Sequence, residues 1–454
     1  MTTHKPSVVR ASEMPAGTPA VPVAIVGAGA CGLTAALMLR DAGVECVLLE
    51  RDSRAQGSTA LSSGFIPAAG TAVQRAAGVH DDSPACFAAD IQGKAKDSAA
   101  AQLVAAYAEA IAPAIDALGA RHGLAFELLD GFLYPGHAVR RMHTLAQRTG
   151  AALAAALEAA ALRAGATLLF GARVHELWCD AADRVVGVAY ARPDGVIEYL
   201  ACDALLLACN GFGGNPAMVA ELLPEMRDAT YAGHVGNDGS AIAWGRALGA
   251  GLADLGGYQG HGGWAVPQGA LISWALMMEG GIQVNAQGRR FHAETGGYSE
   301  AAVAVLAQPG GIAWNVFDDR LLALGRSFPD FVAAEAAGAV RHATDTPALA
   351  ALIGCEVDTL ASTLAGMRLA GPYHTVKVTG ALFHTQGGLN IDAHCRVLRA
   401  DGSAFPNLLA AGGAARGVSG NAVWGYLSGN GLLSAVAGGA IAARTVVDPL
   451  GSTP

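Results

Sequence analysis

Three glycines and a carboxylate near the start of the chain have the types and spacing needed to hold a dinucleotide. Gly27, Gly29 and Gly32 stand at GxGxxG spacing. A buried-strand pattern over residues 23–26 precedes them, a helical pattern follows, and Glu50 ends the next apolar run. Such glycines let a pyrophosphate approach the backbone, and the carboxylate can accept hydrogen bonds from ribose hydroxyls. This context predicts a dinucleotide site. A glycine-rich turn without a ligand is the alternative, and the motif alone does not separate FAD from NAD.

A small polar loop after the carboxylate adds further hydrogen-bonding groups. It contains Ser58, Thr59, Ser62, Ser63 and Gly64. Backbone N–H groups and hydroxyls in such a loop can surround a phosphate chain or a flat ring. An ordinary surface loop is the alternative interpretation.

The composition describes a well-buried globular chain. Its 454 residues are 52% apolar and 15% charged, which suffices for two cores or for one large fold with an inserted domain. The net charge of −9 gives no electrostatic reason to expect nucleic acid or an anionic membrane as a partner. No uninterrupted apolar run is as long as a membrane span, so we expect no membrane insertion.

The cysteines indicate the cellular location of the chain, and the composition of the two termini indicates where the fold begins and ends. Eight cysteines are scattered without a CxxC pair, which argues against a redox disulfide, a c-type haem and a zinc ribbon. This usage fits reduced thiols in the cytoplasm, and we expect no metal site. Residues 1–20 lack the apolar segment of a signal peptide and predict a disordered leader. Residues 448–454 are expected to form a tail.

Apolar periodicity predicts the elements that position these groups. It indicates helices over residues 98–122, 151–164 and 241–248, and three strands with a hairpin within residues 167–190. An apolar strand from Asp203 leads into a second glycine turn. A final helix begins near residues 428–430.

Several separated motifs, taken in chain order, resemble those of the FAD-dependent fumarate reductase/succinate dehydrogenase flavoprotein superfamily, which also contains the 3-ketosteroid Δ1-dehydrogenases. The motifs are the GxGxxG unit with Glu50, the Gly-Ser/Thr loop, CNGFGGN, GRRFHAE, LFHTQGG and the closing glycine loop. The similarity covers about residues 20–445. It implies an α/β fold in which a Rossmann-type FAD-binding domain, residues 21–257 and 372–447, carries an inserted α+β capping domain, residues 258–371.

The resemblance also selects the cofactor. FAD is implied, held without a covalent bond, because Ser58 and Thr59 stand where covalent members carry a histidine. No second GxGxxG unit is present for NAD(P)H, so electrons are expected to pass to or from an external acceptor or donor. The implied cofactor-binding residues are Gly27, Gly29, Ala30, Cys31, Gly32, Glu50, Arg51, Ser58, Thr59, Ser62, Ser63, Gly64, Val174, Ala208, Asn210, Gly211, Asn237, Asp238, Gly412, Gly413, Leu427, Ser428 and Gly429.

The family reaction transfers a hydride between the flavin and a substrate carbon, with proton transfer at the neighbouring carbon. By similarity, His261 and His384 fall on the substrate-binding histidines of fumarate reductases, and Tyr298 falls on the place of their proton-donating arginine. Other charged residues of that site are replaced by Trp274, Met277 and Val423. All of these replacements remove charge.

This loss of charge predicts a substrate other than a dicarboxylate. Two carboxylates in a dry site need charged, hydrogen-bonded partners. We therefore expect a small-molecule substrate of the ketone or enone type, neutral or singly charged and largely apolar, with Tyr298 as proton carrier as in ketosteroid dehydrogenases. Tyr298 could instead only pack in the inserted domain. Tyr373 and His374 are further candidates for holding a carbonyl.

Two other interpretations stay open. One is a reductase of an unsaturated monocarboxylate, with His384 and an arginine from the cluster Arg140, Arg141 and His143 as anion partners. That cluster could equally be a solvated turn. The other is a flavoprotein that uses FAD without net redox, as a hydratase or isomerase.

Overall fold

The computed structural model describes residues 5–130 and 133–448. Residues 1–4 of the predicted leader and residues 449–454 of the predicted tail lie outside the described residues. Strands β1 to β21 are, in order, Ser7–Arg10, Ala20–Val26, Cys46–Glu50, Ile66–Pro67, Glu127–Leu128, Met142–Thr144, Thr167–Phe170, Arg173–Cys179, Val185–Ala191, Ile197–Leu207, Thr230–Tyr231, Leu252–Ala253, Tyr258–Ala265, Ala270–Leu271, Ile282–Val284, Ile312–Asp318, Arg341–Ala343, Tyr373–Thr385, Gly388–Leu389, Arg396–Leu398 and Ala404–Ala410. Helices α1 to α15 are Ala30–Asp41, Gly57–Leu61, Ala72–Ala76, Pro84–Lys94, Ala101–His122, Gly150–Arg163, Pro216–Leu222, Ser240–Leu248, Ala275–Met278, Tyr298–Leu306, Asp319–Gly325, Pro329–Ala336, Thr346–Ile353, Val357–Leu364 and Asn430–Val447.

The chain forms two compact units. The first consists of Met1–Met218, Gly233–Gly257 and His384–Pro454, and the second of Val219–Ala232 and Tyr258–Phe383. The second unit is inserted in the sequence of the first as two segments: the longer one begins at Tyr258, and the shorter one, Val219–Ala232, lies within the range predicted for the FAD-binding domain. It ends later than the expected residue 371, because residues 373–383 belong to β18, which pairs with β16 and β17 of the same unit. The capping role of this unit stays a prediction.

A nine-stranded sheet forms the centre of the first unit. Its parallel part runs in the order β21, β10, β2, β3 and β7, and β8 and β9 extend it as an antiparallel pair. Val23, Ala24 and Ile25 of β2 are fully buried, as expected for a central parallel strand that is covered on both faces. The α/β fold class is confirmed.

The predicted leader is corrected by strand β1. Residues Ser7–Arg10 pair in parallel with Glu176–Cys179 of β8. Val8 packs against the core, and the Arg10 guanidinium donates to Asp183 at 2.5 Å. The polar composition of residues 1–20 concealed this strand, because its partner lies more than 150 residues further along the chain.

Two long helices build the core beside this sheet. Among the described residues, Ala101–His122 and Asn430–Val447 are long and apolar enough to cross a membrane, and a bent pair, Thr346–Ile353 with Val357–Leu364, would make a third candidate. About half of each long helix is buried within the protein, where α15 packs on α1 and α5. The expectations of no membrane insertion and of a cytoplasmic location stay predictions.

The second unit is an α+β arrangement around a seven-stranded sheet. Its main order is β14, β13, β18, β16 and β15, and β11 and β17 also pair with β18. Helix α10 packs on β13, with Ala301, Ala302 and Val305 buried in the contact. The sheet and its helices share one apolar core that includes Val316, Phe317 and Phe331.

Gly439 provides a test of the contact between α15 and α1. A Cβ at Gly439 would overlap the Cys31 carbonyl oxygen, whereas a Cβ at Gly93 in α4 would meet nothing within 4 Å. We expect Gly439→Ala to lower the free energy of unfolding by about 1–3 kcal/mol through overpacking. Gly93→Ala should raise it by about 0.5–1 kcal/mol, because alanine restricts the unfolded helix segment. Urea denaturation of both variants measures the two effects, and equal shifts would contradict the close packing.

Candidate active site

The glycine turn of the first unit has the geometry of a dinucleotide cradle. Gly27 adopts a φ of 105°, and a Cβ there would lie 2.6 Å from the Ala208 carbonyl oxygen. A Cβ at Gly32 would overlap the Gly27 carbonyl oxygen. Gly29 is the N-cap of α1 and has no side chain that could cap it. The N-cap residue therefore does not compete with a phosphate for the positive end of α1.

Glu50 is fixed beside this turn by two backbone donors. Its Oε2 accepts from the Ala28 N–H at 2.8 Å and its Oε1 from the Asp52 N–H at 2.9 Å. Burial raises the pKa of the Glu50 carboxyl, and the two N–H groups act in the opposite direction. A carboxylate has about four lone-pair positions, so both oxygens can still accept ribose hydroxyls.

The polar loop is tied to the glycine turns by its hydroxyls. Ser58 Oγ accepts from Asn210 Nδ2 at 2.8 Å and from Asn237 Nδ2 at 2.9 Å. Thr59 Oγ1 accepts from the Ala30 N–H at 2.9 Å. The structure thus joins four segments that the sequence assigned to the cofactor.

The remaining predicted cofactor residues border the same segments. Ser62 Oγ donates to the Thr59 carbonyl oxygen and accepts from the Gly64 N–H, and Arg51 donates to Gly236 and Asp238. A Cβ at Gly413 would overlap Asn210 Oδ1, and one at Gly412 would lie 3.3 Å from Cys31 Cβ. The cofactor contacts of all these residues, and those of Ser63, Val174 and Gly211, stay predictions.

The start of α15 is held by a buried histidine. Gly429, with a φ of 89°, is the N-cap, and His137 Nε2 donates to the Ser428 carbonyl oxygen at 2.9 Å. Leu427 is fully buried. Burial lowers the pKa of His137 to about 4. The positive end of this helix can stabilise negative charge on a reduced flavin ring, so the residues of the first unit fit FAD.

His384 lies in the first unit at the end of β18. Its Nδ1 accepts from Gln386 Nε2 at 3.0 Å, and its ring packs edge to face with Tyr426 at 5.5 Å between centroids. Burial lowers the pKa of His384 to about 4. The imidazole is therefore neutral at physiological pH and carries its proton on Nε2.

His261 lies in the second unit within an aromatic cluster, which we define as His261, Trp264, Trp274, Tyr298 and Phe383. The His261 ring stacks on Tyr298 at 5.0 Å and 21°, and lies 5.6 Å from Trp274 and 5.7 Å from Phe383. Burial lowers the pKa of His261 to about 3. Its Nδ1 accepts from the Gly263 N–H at 2.9 Å, so this imidazole also carries its proton on Nε2.

The charged groups near this cluster neutralise one another. Arg290 pairs with Glu294 through both carboxylate oxygens, and Glu294 Oε1 also accepts from the Gln283 N–H at 2.9 Å. Burial alone would raise the pKa of Glu294, but these hydrogen bonds outweigh it and lower the pKa. Trp274 Nε1 donates to the Glu294 carbonyl oxygen at 3.0 Å. The RFHAE motif therefore stabilises the fold around the cluster.

Tyr373 and His374 do not belong to this cluster. They begin β18, whereas Phe383, which contacts His261, lies ten residues further along the same strand. At a rise of about 3.3 Å per residue the separation is about 30 Å. His374 instead bonds Asp319 and His342, each at 2.7 Å. The predicted catalytic role of Tyr373 is therefore corrected.

Arg141 and His143 are structural residues. The Arg141 side chain is fully buried and donates to Asp82 through Nε at 3.0 Å and Nη2 at 2.9 Å, and it also pairs with Asp90. His143 bonds Thr71 Oγ1 at 2.7 Å and the Arg141 carbonyl oxygen at 2.9 Å. Only Arg140 of the three has an exposed side chain. The interpretation of Arg141 and His143 as substrate-anion partners is wrong.

Sequence reasoning missed several residues that support the site. Gln386, Ser419 and Asn430 form a hydrogen-bonded chain that ends on His384, and His137 was overlooked. The sequence contained a signal for Gln386, since residues two apart in an extended segment share a face. It contained no such signal for Ser419 and Asn430, because only the fold brings them close to Gln386.

Comparison with known proteins agrees with this geometry. Residues 22–432 match the model of a family described as an FAD binding domain. The chain belongs to this family. It is thus a flavoprotein of the fumarate reductase/succinate dehydrogenase superfamily of FAD-dependent oxidoreductases, and FAD is its cofactor.

Three similar proteins illustrate the range of this superfamily. NADH:fumarate oxidoreductase of Klebsiella pneumoniae is 27% identical over 423 residues, which are 88% of this chain and 45% of that protein. The chain thus spans less than half the length of this curated relative. A flavocytochrome c3 fumarate reductase in an open conformation has a TM-score of 0.81 at 27% identity, over 95% of this chain and 79% of that one.

The third is a 3-ketosteroid-Δ4-(5α)-dehydrogenase from Rhodococcus jostii, solved in complex with 4-androstene-3,17-dione. It has a TM-score of 0.77 at 23% identity, over 97% of this flavoprotein and 99% of that chain. At this identity the likeness shows the fold alone.

The adjacent residues Arg140 and Arg141 of this flavoprotein allow a matched test of the structural role of Arg141. Arg141→Met would leave two carboxylates without their buried partner, so we expect a loss of about 3–5 kcal/mol in the free energy of unfolding. Arg140→Met changes an exposed side chain and should stay within about 0.5 kcal/mol. Urea denaturation distinguishes the two. A stable Arg141→Met variant with weakened substrate binding would restore the anion-partner role.

Proposed function

We propose that this flavoprotein adds hydrogen to, or removes it from, a carbon–carbon bond next to the carbonyl of a largely apolar ketone or enone. The observation that carries the proposal is the aromatic cluster. A neutral His261 is stacked there on Tyr298, which occupies the sequence position where similar fumarate reductases have a guanidinium.

The charge of the described groups favours a neutral substrate. His261 and His384 are both uncharged at pH 7, because burial lowers the pKa of each to about 3 and about 4. Arg290 is already paired with Glu294. Within either unit, a substrate carboxylate would lose its hydration beside a neutral imidazole that does not compensate for the charge. A ketone needs only hydrogen-bond donors for one oxygen.

The chain supplies binding, orientation and proton transfer. When bound, FAD supplies the hydride chemistry. Tyr298 is the proposed proton carrier, because its phenol lies in the aromatic cluster beside His261 and can both donate and accept a proton. His261 and His384 each present an Nε2–H that can donate to an oxygen.

A reductase of an unsaturated monocarboxylate is the second candidate. The names of the relatives favour a reductase of an unsaturated carboxylate, since two of the three similar proteins are described as acting on fumarate, which is a dicarboxylate. Its weakness is the commitment of Arg141 to Asp82 and Asp90. A hydratase or isomerase that uses FAD without net redox is the remaining alternative.

Anaerobic mixing of the purified holoprotein with a substrate panel tests the proposal. We expect a saturated cyclic ketone to bleach the flavin, or an enone to reoxidise the reduced protein, with enoates and fumarate inactive. Reoxidation by enoates alone would establish the second candidate. Turnover without any change in flavin absorbance would establish the non-redox alternative. Acid precipitation should release the flavin into the supernatant, since no histidine stands at positions 58 and 59.

Tyr298→Phe tests the proton carrier. Removal of the hydroxyl should lower kcat/KM by about 100-fold or more, which is the usual contribution of a positioned acid or base, while FAD content stays unchanged. Tyr373→Phe is the matched control, because this hydroxyl lies about 30 Å along β18 from the residue that contacts His261, and it should keep wild-type turnover. The role of Tyr298 would be falsified if both variants retained activity.

A further inference from the structure

A chain of four hydrogen-bonding side chains lies within the first unit, and we call it the amide relay. Asn430 Nδ2 donates to Ser419 Oγ at 2.9 Å, and Ser419 Oγ donates to Gln386 Oε1 at 2.9 Å. Gln386 Nε2 then donates to His384 Nδ1 at 3.0 Å. Ser419, Gln386 and Asn430 are all buried.

The placement of the two amide groups gives every bond in the amide relay one direction. Ser419 accepts from an amide N–H, so its single proton is available for the Gln386 carbonyl oxygen. With that oxygen engaged, the amide N–H of Gln386 points to the imidazole. His384 Nδ1 must then be unprotonated, and the proton of the neutral ring sits on Nε2.

The backbone holds Gln386 independently of its side chain. The Gln386 N–H donates to the Gly257 carbonyl oxygen at 2.8 Å, and its carbonyl oxygen accepts from Gly417 at 2.7 Å. Gly417 leaves room for this arrangement, since a Cβ there would lie 3.1 Å from Gln386 Oε1. A substitution of the side chain therefore leaves the loop in place.

Of the groups around the His384 ring, Gln386 is the one that determines which ring nitrogen carries the proton. Tyr426 is the titratable group that faces the ring, and burial raises the pKa of this phenol, so it stays uncharged. Among the described residues, no charged side chain contributes to the lowered pKa of His384, which results from burial. The other hydrogen-bond acceptor near Nδ1 is the Thr385 carbonyl oxygen at 3.4 Å.

We propose that Gln386 is a positioning residue that determines substrate class, because it holds His384 as an uncharged Nε2–H donor suited to a ketone oxygen. This inference rests on the proposed function for the identity of the substrate, but not for the state of the imidazole. Without the amide, Nδ1 is free to take a proton and donate to Thr385, and Nε2 becomes an acceptor that repels a carbonyl oxygen.

Gln386→Glu reverses the direction of the hydrogen bond between residue 386 and His384 Nδ1. A carboxylate accepts from Nδ1–H, so the neutral imidazole loses its Nε2 proton, and Nε2 donates only when the ring is charged. The carboxylate also raises the pKa of His384. Turnover of the enone by Gln386→Glu should therefore fall as pH rises through neutrality, whereas the wild-type profile should show no His384 titration over the same range. Gln287→Glu, the same change at an exposed glutamine, should follow the wild-type profile.

Nitrogen NMR of the histidine-labelled holoprotein tests the imidazole directly. The His384 signals are assigned by their loss in His384→Gln. We expect the wild type to show protonated Nε2 and unprotonated Nδ1 at pH 7, Gln386→Leu to show a mixture of tautomers, and Gln386→Glu to show protonated Nδ1. Flavin content and thermal midpoint report that each variant is folded.

The two readouts separate the inference from the proposed function. A wild-type His384 with protonated Nδ1, or parallel pH profiles for wild type and Gln386→Glu, would overturn the role of Gln386. If no ketone or enone is turned over, the proposed function fails. The tautomers observed by NMR would still show whether Gln386 determines the protonated nitrogen of His384.

Discussion

The close approach of α15 to α1 is the constraint on which the first unit depends. Gly439 lies against the Cys31 carbonyl oxygen, where any side chain would overlap, and this contact fixes two helix N-termini in one rigid core. One of them carries the GxGxxG cradle and the other begins at Gly429. A flavin dinucleotide is long and has charge at both its pyrophosphate and its ring. Two positive helix ends in one core can hold both parts without placing a cation in the site.

Absence of net charge is the common feature of the buried polar groups described above. Burial lowers the pKa values of His137, His261 and His384, and the buried guanidinium of Arg141 is matched by two carboxylates. Such a surrounding penalises any ligand that brings its own charge, and it strengthens each hydrogen bond made by a neutral donor. Selectivity in this protein then comes from the direction of N–H bonds. The supporting amides and hydroxyls determine that direction.

The sequence predicted what depends on local spacing and missed what depends on distant partners. The glycine turn, Glu50 and the long helices follow from short patterns, and they appear at or near the expected residues. The sequence suggested Arg141 as an anion partner because its two carboxylate partners, Asp82 and Asp90, lie far from it along the chain. Tyr373 and His374 were candidates for holding a carbonyl, yet the length of β18 places them far from His261. The amide relay combines two loop residues with the first residue of α15, so only the fold brings Gln386, Ser419 and Asn430 together.

The short strand β1 has a consequence for the handling of this protein. It occupies the outer side of β8, whose other side pairs with β9. A chain truncated before residue 11 would present the N–H and C=O groups of β8 to solvent, and such an open edge recruits strands from other molecules. Strand β1 is itself the outer strand of the sheet, so its four residues replace the seven-residue edge of β8 with a shorter open edge. A shorter edge recruits other strands less readily.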